Sequence, residues 1–261
     1  MILVADNLQI TNRIIAEAVS AANPKPIQDM VKKCEAAGAQ IIDINSGPLS
    51  RNPEKMAFMV EAVQEVSDLP IIIDTANPEA MEAGLRANRK TAVINGFSLE
   101  PVKLTQMLPL AKKFDVDIIG YLLYPDSHVP KDAAERLNVA VALYREFQKS
   151  GVEPERLIID PIVAPLVWQD GNIQLMEILS VIRQLPELLG FPVRTIAGLS
   201  NLTTGRGPIG KKLLMERSYL PMIAASGLSM VLLNIFHQET VMAAKACKAL
   251  TSKKVFVWEE V

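Results

Sequence analysis

Short apolar runs alternate with amphipathic helical patterns from one end of the sequence to the other. The runs are continuously apolar, which is typical of parallel strands that are buried on both faces. There are eight of them, at residues 2–5, 40–44, 70–73, 91–94, 117–122, 157–159, 193–197 and 229–233. Eight β-then-α units in 261 residues predict a (β/α)8 TIM barrel, with residues 1–261 as a single domain.

The helical patterns between the runs place apolar residues three or four positions apart. Ile27, Met30, Val31 and Cys34 share one face of the first predicted helix. The predicted helices cover residues 26–37, 54–66, 78–87, 101–114, 132–149, 173–184, 213–226 and 238–250. The alternative, an open doubly wound sheet, needs a glycine-rich phosphate-binding turn after an early strand, and the sequence has none there.

Composition argues against several classes of protein. The formal net charge is −2 and aromatic residues make up 5% of the chain, so neither nucleic-acid binding nor attraction to an anionic membrane is indicated. No run reaches 18 apolar residues, and the first residues lack the basic start of a signal peptide. Cys34 and Cys247 lie far apart without metal-ligand spacing, so we expect reduced core cysteines, no bound metal and a cytoplasmic location.

Several apolar runs end in one side chain that forms hydrogen bonds. Asp74, Asn95 and Asp160 close the third, fourth and sixth runs, and Asn201 lies just past the seventh. In a parallel barrel these ends meet at one face, above a plug of packed side chains. Each aspartate alone is also explained as a cap of the next helix, but two from separate strands, together with Asn95, favour a binding site. Two carboxylates and two carboxamides suit a flat heterocycle with many donors and acceptors, such as a pterin.

Five segments, in this order and at barrel spacing, carry a resemblance to a known family. They are Asp43-Ile44-Asn45-Ser46-Gly47-Pro48, Ile73-Asp74-Thr75, Ile94-Asn95, Ile159-Asp160-Pro161 and Gly198-Leu199-Ser200-Asn201. The sequence resembles the pterin-binding methyltransferases, which include methyltetrahydrofolate:corrinoid/iron–sulfur protein methyltransferase and the folate domain of cobalamin-dependent methionine synthase. The similarity runs over essentially the whole chain.

The resemblance implies a role for each of these polar residues. Asp74, Asn95 and Asp160 take the pterin ring, because a carboxylate accepts two adjacent N–H donors of an amino-pyrimidine edge. Asn201 matches the residue that contacts N5 of folate and is the predicted catalytic residue. Other matched positions are Gly198 and Ser200, which shape the pocket wall, and the weaker candidates Asp43, Asn45 and Asn234.

The implied activity is transfer of a methyl group between N5 of tetrahydrofolate and the cobalt of a corrinoid. Tetrahydrofolate and 5-methyltetrahydrofolate are the expected substrates, and a separate corrinoid protein is the expected partner, because no corrinoid-binding segment follows the predicted barrel. A homodimer is also implied, with Leu213-Leu214-Met215 and Tyr219-Leu220-Pro221-Met222 as possible interface stretches or, equally, barrel-facing positions. The direction of transfer, the identity of the corrinoid protein and the original methyl donor stay open.

Two departures from the family pattern concern the mouth of the barrel. The chain begins Ala5-Asp6-Asn7-Leu8-Gln9 where methionine-synthase-type relatives have Gly-Glu-Arg-x-Asn, which puts a role for the first strand in doubt. Residues 205–212 predict a longer, glycine-rich loop than in the acetogen enzyme, with Thr204 in place of a glutamine. Arg206, Lys211 and Lys212 make this loop basic, which suits the glutamate tail of folate or an acidic partner surface; a solvated surface loop is the plainer alternative.

Two other functions share the same barrel. Dihydropteroate synthase uses a similar pterin site, but its strand-seven turn reads Gly-x-Ser-Arg-Lys, and it needs cations for a diphosphate leaving group. Here Asn201 and Leu202 stand in those positions, and the eighth run ends Leu233-Asn234-Ile235-Phe236. A non-catalytic folate-binding protein would keep the pterin site without turnover. The uncharged turn ranks the methyltransferase above the synthase.

Overall fold

Eight parallel strands close into a barrel in the computed structural model, which describes residues 1–47 and 52–258. Each strand pairs with its neighbours in chain order, and β8 pairs with β1. The strands are β1 Ile2–Gln9, β2 Ile41–Asn45, β3 Ile71–Asp74, β4 Ala92–Phe97, β5 Asp117–Tyr121, β6 Leu157–Asp160, β7 Arg194–Gly198 and β8 Met230–Leu233. The predicted TIM barrel is confirmed; Pro48 of the resemblance lies outside the described residues.

Helices alternate with the strands along the chain. They are α1 Arg13–Ser20, α2 Lys25–Ala36, α3 Pro53–Gln64, α4 Pro78–Ala87, α5 Pro101–Phe114, α6 Ala133–Lys149, α7 Gly171–Leu189, α8 Ile209–Ala225 and α9 Gln238–Thr251. Short 3-10 turns lie at Pro154–Arg156 and Leu199–Thr203. The sequence did not predict α1, an eight-residue helix with only Ile15, Ala18 and Val19 buried.

Polar side chains fix where several helices begin. Asn12, Asn52, Asn77 and Asp132 each accept a hydrogen bond from a backbone N–H of the first turn of α1, α3, α4 and α6. This pairing satisfies N–H groups that have no partner inside the helix. A proline also stands in the first turn of α3 and α4, where its missing N–H costs nothing.

One apolar side chain from each strand fills the inside of the barrel. These eight residues form a separate buried cluster: Val4, Ile41, Ile72, Val93, Ile119, Ile158, Ile196 and Met230. A larger cluster packs the outer faces of the strands against the helices. We call the inner cluster the plug. Because side chains alternate along a strand, the residue two positions after each plug residue also points into the barrel.

Residues 205–212 form a loop only in part. α8 begins at Ile209, so Lys211 and Lys212 lie in its first turn rather than in a loop. Gly205 has a φ of 105°, which favours glycine. The Lys212 Nζ atom donates a hydrogen bond to the Gly205 carbonyl oxygen at 2.6 Å and ties the remaining loop to the helix.

The apolar stretches of α8 divide between the core and the surface. Tyr219 and Leu220 are 5% and 0% exposed, so this half of the predicted interface belongs to the barrel core. Leu214, Met215 and Met222 are 61%, 42% and 38% exposed. These residues and the exposed Pro221 are the outward part of the two predicted stretches, and the homodimer stays a prediction.

Two further expectations concern cysteines and membranes. Cys34 and Cys247 are buried and form no disulfide, as their helical positions predicted. Within residues 1–47 and 52–258, no helix combines the length and apolar character needed to span a bilayer. The cytoplasmic location stays a prediction.

The plug is testable by shortening one of its members. Ile158 is 1% exposed, so Ile158→Ala should lower the free energy of unfolding by about 2–5 kcal/mol, because it removes apolar contacts and leaves a cavity. Leu214→Ala, at a 61% exposed position, is the control and should change stability little. Urea denaturation measures both variants; equal effects would show that the plug does not support the barrel.

Candidate functional site

The residue two positions beyond each plug residue lines a cavity of about 290 Å³ at the mouth of the barrel. We call these eight residues the mouth ring: Asp6, Asp43, Asp74, Asn95, Tyr121, Asp160, Gly198 and Leu232. Strand alternation points each of them to the same side as its plug residue. Six of the eight bear polar side chains, so the apolar plug is covered by a polar layer.

The cavity brings together eight of the nine predicted site residues. These are Asp43, Asn45, Asp74, Asn95, Asp160, Gly198, Ser200 and Asn201. Asn234 does not line this cavity but a larger one beside it. There its Oδ1 atom accepts a hydrogen bond from Asn7 Nδ2 at 2.7 Å, so it links β8 to β1.

Four neighbouring strands, β2 to β5, hold two hydrogen-bonded pairs of polar side chains. Asn45, Asp74 and Asn95 lie in register on β2, β3 and β4. The Asn45 Nδ2 atom donates to Asp74 Oδ2 at 2.5 Å, and the Tyr121 hydroxyl donates to Asn95 Oδ1. These bonds fix the orientation of each side chain and leave Asp74 Oδ1 and Asn95 Nδ2 to be directed at a ligand.

Asp160 is held by a strained turn. Its Oδ1 atom accepts a hydrogen bond from the Ile162 backbone N–H at 2.8 Å. Ile162 has a φ of 63°, a left-handed conformation that costs a β-branched residue roughly 1–3 kcal/mol. Strain of this kind persists only where surrounding contacts impose it.

Arg136 supplies those contacts from behind the turn. Its side chain is fully buried and donates to the carbonyl oxygens of Pro161 and Ile162, and to Gln174 Oε1 at 2.8 Å. These bonds use both terminal nitrogens of the guanidinium, while its Nε has no hydrogen-bond partner among the described residues. Arg136 therefore positions Asp160 without lining the cavity itself.

Gly198 makes room for Asn201. With φ −81° and ψ 106°, its backbone is open to any residue, so conformation does not demand glycine here. A Cβ atom at this position would lie 3.1 Å from Asn201 Nδ2 and 3.5 Å from Asn201 Cγ. The carboxamide thus lies directly over Gly198, on the 3-10 turn that follows β7, and is exposed to the cavity and solvent.

Comparison with known proteins finds a family that matches most of the chain. The profile of the pterin binding enzymes matches residues 11–234. The chain belongs to the pterin-binding enzyme family.

Two curated relatives and one solved structure illustrate how far this similarity extends. A methylcorrinoid:tetrahydrofolate methyltransferase from Eubacterium limosum is 23% identical over 254 residues, which cover 96% of this chain and 91% of the relative. A methionine synthase from Mycobacterium leprae is 22% identical over 212 residues, 78% of this chain but only 17% of that much longer protein. A dihydropteroate synthase from Xanthomonas albilineans superposes with a TM-score of 0.68 at 20% identity, and the match covers 88% of this chain and 87% of the synthase. This likeness supports the fold alone.

This pterin-binding enzyme has site residues that sequence reasoning missed. Asp6 and Gln9 from β1 line the central cavity, as does Tyr121 from β5. Asp6 closes the apolar run 2–5 in the same way as Asp74 closes the third run, so the same sequence pattern could have predicted Asp6 as a site residue. Within the described part of the chain, no group of three or more Asp, Glu, His or Cys residues is placed to hold a metal ion.

Burial dominates the electrostatics of the four mouth-ring aspartates. It raises the pKa of Asp6 and Asp74 to about 6 and that of Asp160 to about 7. The pKa of Asp43, which is 1% exposed, is raised furthest, through burial and the neighbouring carboxylates of Asp74 and Asp6. Burial and these neighbouring carboxylates therefore favour the protonated form of Asp43.

The raised pKa values predict how stability depends on pH. Unfolded aspartates titrate near pH 3.9, so between about pH 4 and 7 the folded protein holds more protons than the unfolded chain. The free energy of unfolding should therefore fall as pH rises through this window, by roughly 1.4 kcal/mol for each unit of pKa displacement. Urea denaturation of the ligand-free protein at pH 5 and pH 8 measures this loss.

Asp160→Asn is the matched variant for this measurement. It keeps an oxygen for the Ile162 N–H but cannot ionise. The variant should lose less stability than the wild type between pH 5 and pH 8. An identical pH dependence in both proteins would contradict the assignment of a raised pKa to Asp160.

Proposed function

We propose that this pterin-binding enzyme transfers a methyl group between N5 of tetrahydrofolate and the cobalt of a corrinoid. The observation that carries the proposal is the mouth ring with the Asn201 turn at its edge. The similarity to a methylcorrinoid:tetrahydrofolate methyltransferase along almost the full length of both proteins supports the same activity.

In this proposal, Asp74, Asn95 and Asp160 bind the pterin ring edge-on. Among the described contacts, one oxygen of each aspartate bonds to the protein, to Asn45 and to Ile162 respectively, so the second oxygen is available to the ring. The lactam N–H and exocyclic amine of a pterin are donors that a carboxylate binds strongly. Asn95, whose oxygen accepts from Tyr121, presents its amide N–H₂ to a ring acceptor.

Asn201 acts on N5 in this proposal. A methyl group leaves N5, or joins it, through a species in which that nitrogen carries positive charge and a proton. A carboxamide has no proton of suitable acidity, but its oxygen can accept a hydrogen bond from N5–H. One well-aimed bond of this kind at a reacting centre contributes about 2.7–4 kcal/mol. The position of Asn201 above Gly198 directs it toward the cavity.

The corrinoid is proposed to arrive on a separate protein. A cavity of about 290 Å³ holds a pterin but not a corrin macrocycle, so the corrinoid must approach from outside the mouth. The exposed rim at residues 125–128 and 205–211 is the surface that such a partner would meet. The relative from Eubacterium limosum is named for transfer from a methylcorrinoid to tetrahydrofolate, and this is the direction that we propose here.

The pterin site is tested by removing its carboxylates. Asp74→Ala and Asp160→Ala should each weaken tetrahydrofolate binding by about 1–3 kcal/mol, because each leaves a ligand donor unpaired in a partly dry cavity. Asp68→Ala is the control, since the side chain of Asp68 is 98% exposed outside the mouth. Isothermal titration gives the affinities; wild-type affinity in both cavity variants would rule out this pterin site.

The role of Asn201 is tested by separating rate from affinity. Asn201→Ala should lower the single-turnover rate of methyl transfer at saturating folate more than it lowers folate affinity, because the hydrogen bond matters most when N5 is charged. Gly198→Ala should give a smaller rate loss, since its new Cβ would lie 3.1 Å from Asn201 Nδ2 and shift the carboxamide only slightly. Stopped-flow spectroscopy of the corrinoid measures the rate, and a full rate in Asn201→Ala would remove Asn201 from the mechanism.

A further inference from the structure

Tyr121 lies between the two aspartates that the proposed function assigns to the pterin ring. Four mouth-ring residues follow each other on the successive strands β3 to β6: Asp74, Asn95, Tyr121 and Asp160. Asp74 is in register with Asn95, and Tyr121 is in register with Asp160. Asn95 and Tyr121 therefore fill the arc of the central cavity between the two carboxylates.

The ring of Tyr121 is held by contacts from β4 and α5. A Cβ atom at Gly96, the residue after Asn95, would lie 3.1 Å from Tyr121 Cζ, so the hydroxyl end of the ring packs against the β4 backbone. The Lys103 Nζ atom lies 5.8 Å from the ring centroid, within the range of cation–π attraction. Lys103 is the third residue of α5, where the helix dipole disfavours a cation. Its contacts with the Tyr121 ring and with Glu100, at 3.7 Å, offset this cost.

The Tyr121 hydroxyl fixes which end of the Asn95 amide faces the ligand. Burial, and then the neighbouring carboxylates of Asp74 and Asp160, raise the pKa of this hydroxyl well above its usual range, so it keeps its proton. Among the described residues, its hydrogen-bond partner is Asn95 Oδ1. Once a ring displaces water from the cavity, a proton that is not donated to Oδ1 is left unpaired, which is unfavourable. The amide is therefore held with Oδ1 toward Tyr121 and Nδ2 toward the ligand.

A fixed N–H₂ group between two carboxylates defines the ring atom that it meets. This step rests on the proposed function, in which the aspartates accept from the ring donors. Along the pyrimidine edge of a tetrahydropterin, the groups follow in the order N8–H, N1, exocyclic amine and lactam N–H. N1 is the acceptor that has a donor on either side. The Asn95 Nδ2 atom then donates to the lone pair of N1.

We propose that Tyr121 is a specificity-determining residue that acts through Asn95. By holding the amide N–H₂ toward the cavity, it makes the site select rings with a lone pair on N1 and reject rings that carry a proton there. The 2,4-diaminopteridines are rings of the second kind. Replacing the C4 oxygen by an amine makes N1 basic, and the N–H that forms there would point at the N–H₂ of Asn95, donor against donor.

Calorimetric titration with two ligands at neutral pH tests this inference. The ligands are 6-methyltetrahydropterin and 2,4-diamino-6-methyltetrahydropteridine, which has an amine in place of the C4 oxygen. The wild type should bind the pterin more tightly. In Tyr121→Phe the Asn95 amide can turn its oxygen toward the cavity, so pterin binding should weaken roughly tenfold, as for loss of one oriented hydrogen bond, while binding of the diamino ring should not. In an Asn95→Ala background, Tyr121→Phe should no longer change the ratio of the two affinities.

Tyr144→Phe is the matched control, because it removes the same hydroxyl from a tyrosine that packs against Phe147 and Phe191 and does not line the cavity. It should leave both affinities unchanged.

The inference is overturned if the wild type binds both ligands equally, or if Tyr121→Phe weakens both by the same factor, as a purely structural role would. It is also overturned if Tyr121→Phe leaves the ratio unchanged, changes it equally in the Asn95→Ala background, or is matched by Tyr144→Phe. Each of these results, with 6-methyltetrahydropterin bound by the wild type, leaves the proposed function standing. Failure of the wild type to bind 6-methyltetrahydropterin would overturn the proposed pterin site and this inference together.

Discussion

The alternation of side chains along eight parallel strands is the constraint on which the rest of this structure depends. One inward residue from each strand packs the plug, and the next inward residue on each strand forms the mouth ring. The positions of the polar groups are thus fixed by a packed apolar layer beneath them, not by loops. Such a layer resists displacement because barrel interiors are filled to crystal-like density.

Holding four aspartates in one ring is unfavourable for the empty protein. Burial raises the pKa of Asp6, Asp74 and Asp160 to about 6, 6 and 7, and the left-handed Ile162 adds backbone strain. The buried Arg136 offsets part of this cost by fixing the turn that carries Asp160. In the proposed function, ligand donors then meet carboxylates that have already lost their water.

The sequence predicted the barrel and most of the central cavity because both follow from local pattern. Asp74 and Asp160 each end a continuous apolar run, and such ends must meet at one face of a parallel barrel. Asp6 shows the same pattern, but β1 continues through polar residues to Gln9. Asp6 was not predicted, because the start of the chain also departs from the family pattern. Tyr121 was not predicted as a site residue because it lies inside the predicted run 117–122, and an aromatic residue within an apolar run is typical of the core.

Other features depend on tertiary contacts that no local pattern encodes. The backbone of Gly198 is ordinary, and what the glycine provides is room for the Asn201 carboxamide that lies over it. Lys212 was expected in a loop, yet it lies in the first turn of α8 and lines the larger cavity beside the central one, because the helix begins at Ile209. Asn201 itself lies on an exposed turn, and only the resemblance to the pterin-binding methyltransferases suggests the catalytic role proposed for it.

The most direct test of the proposed activity is the appearance of methylcobalt. The protein is mixed anaerobically with 5-methyltetrahydrofolate and cobalt(I) cobalamin, so the reaction runs in the reverse of the proposed direction. The change in the corrinoid spectrum is followed against a protein-free control. The account predicts that methylcobalt forms at a rate proportional to protein concentration. A rate no faster than the control, with 5-methyltetrahydrofolate bound to the protein in the same mixture, would contradict the methyltransferase and identify a folate-binding protein instead.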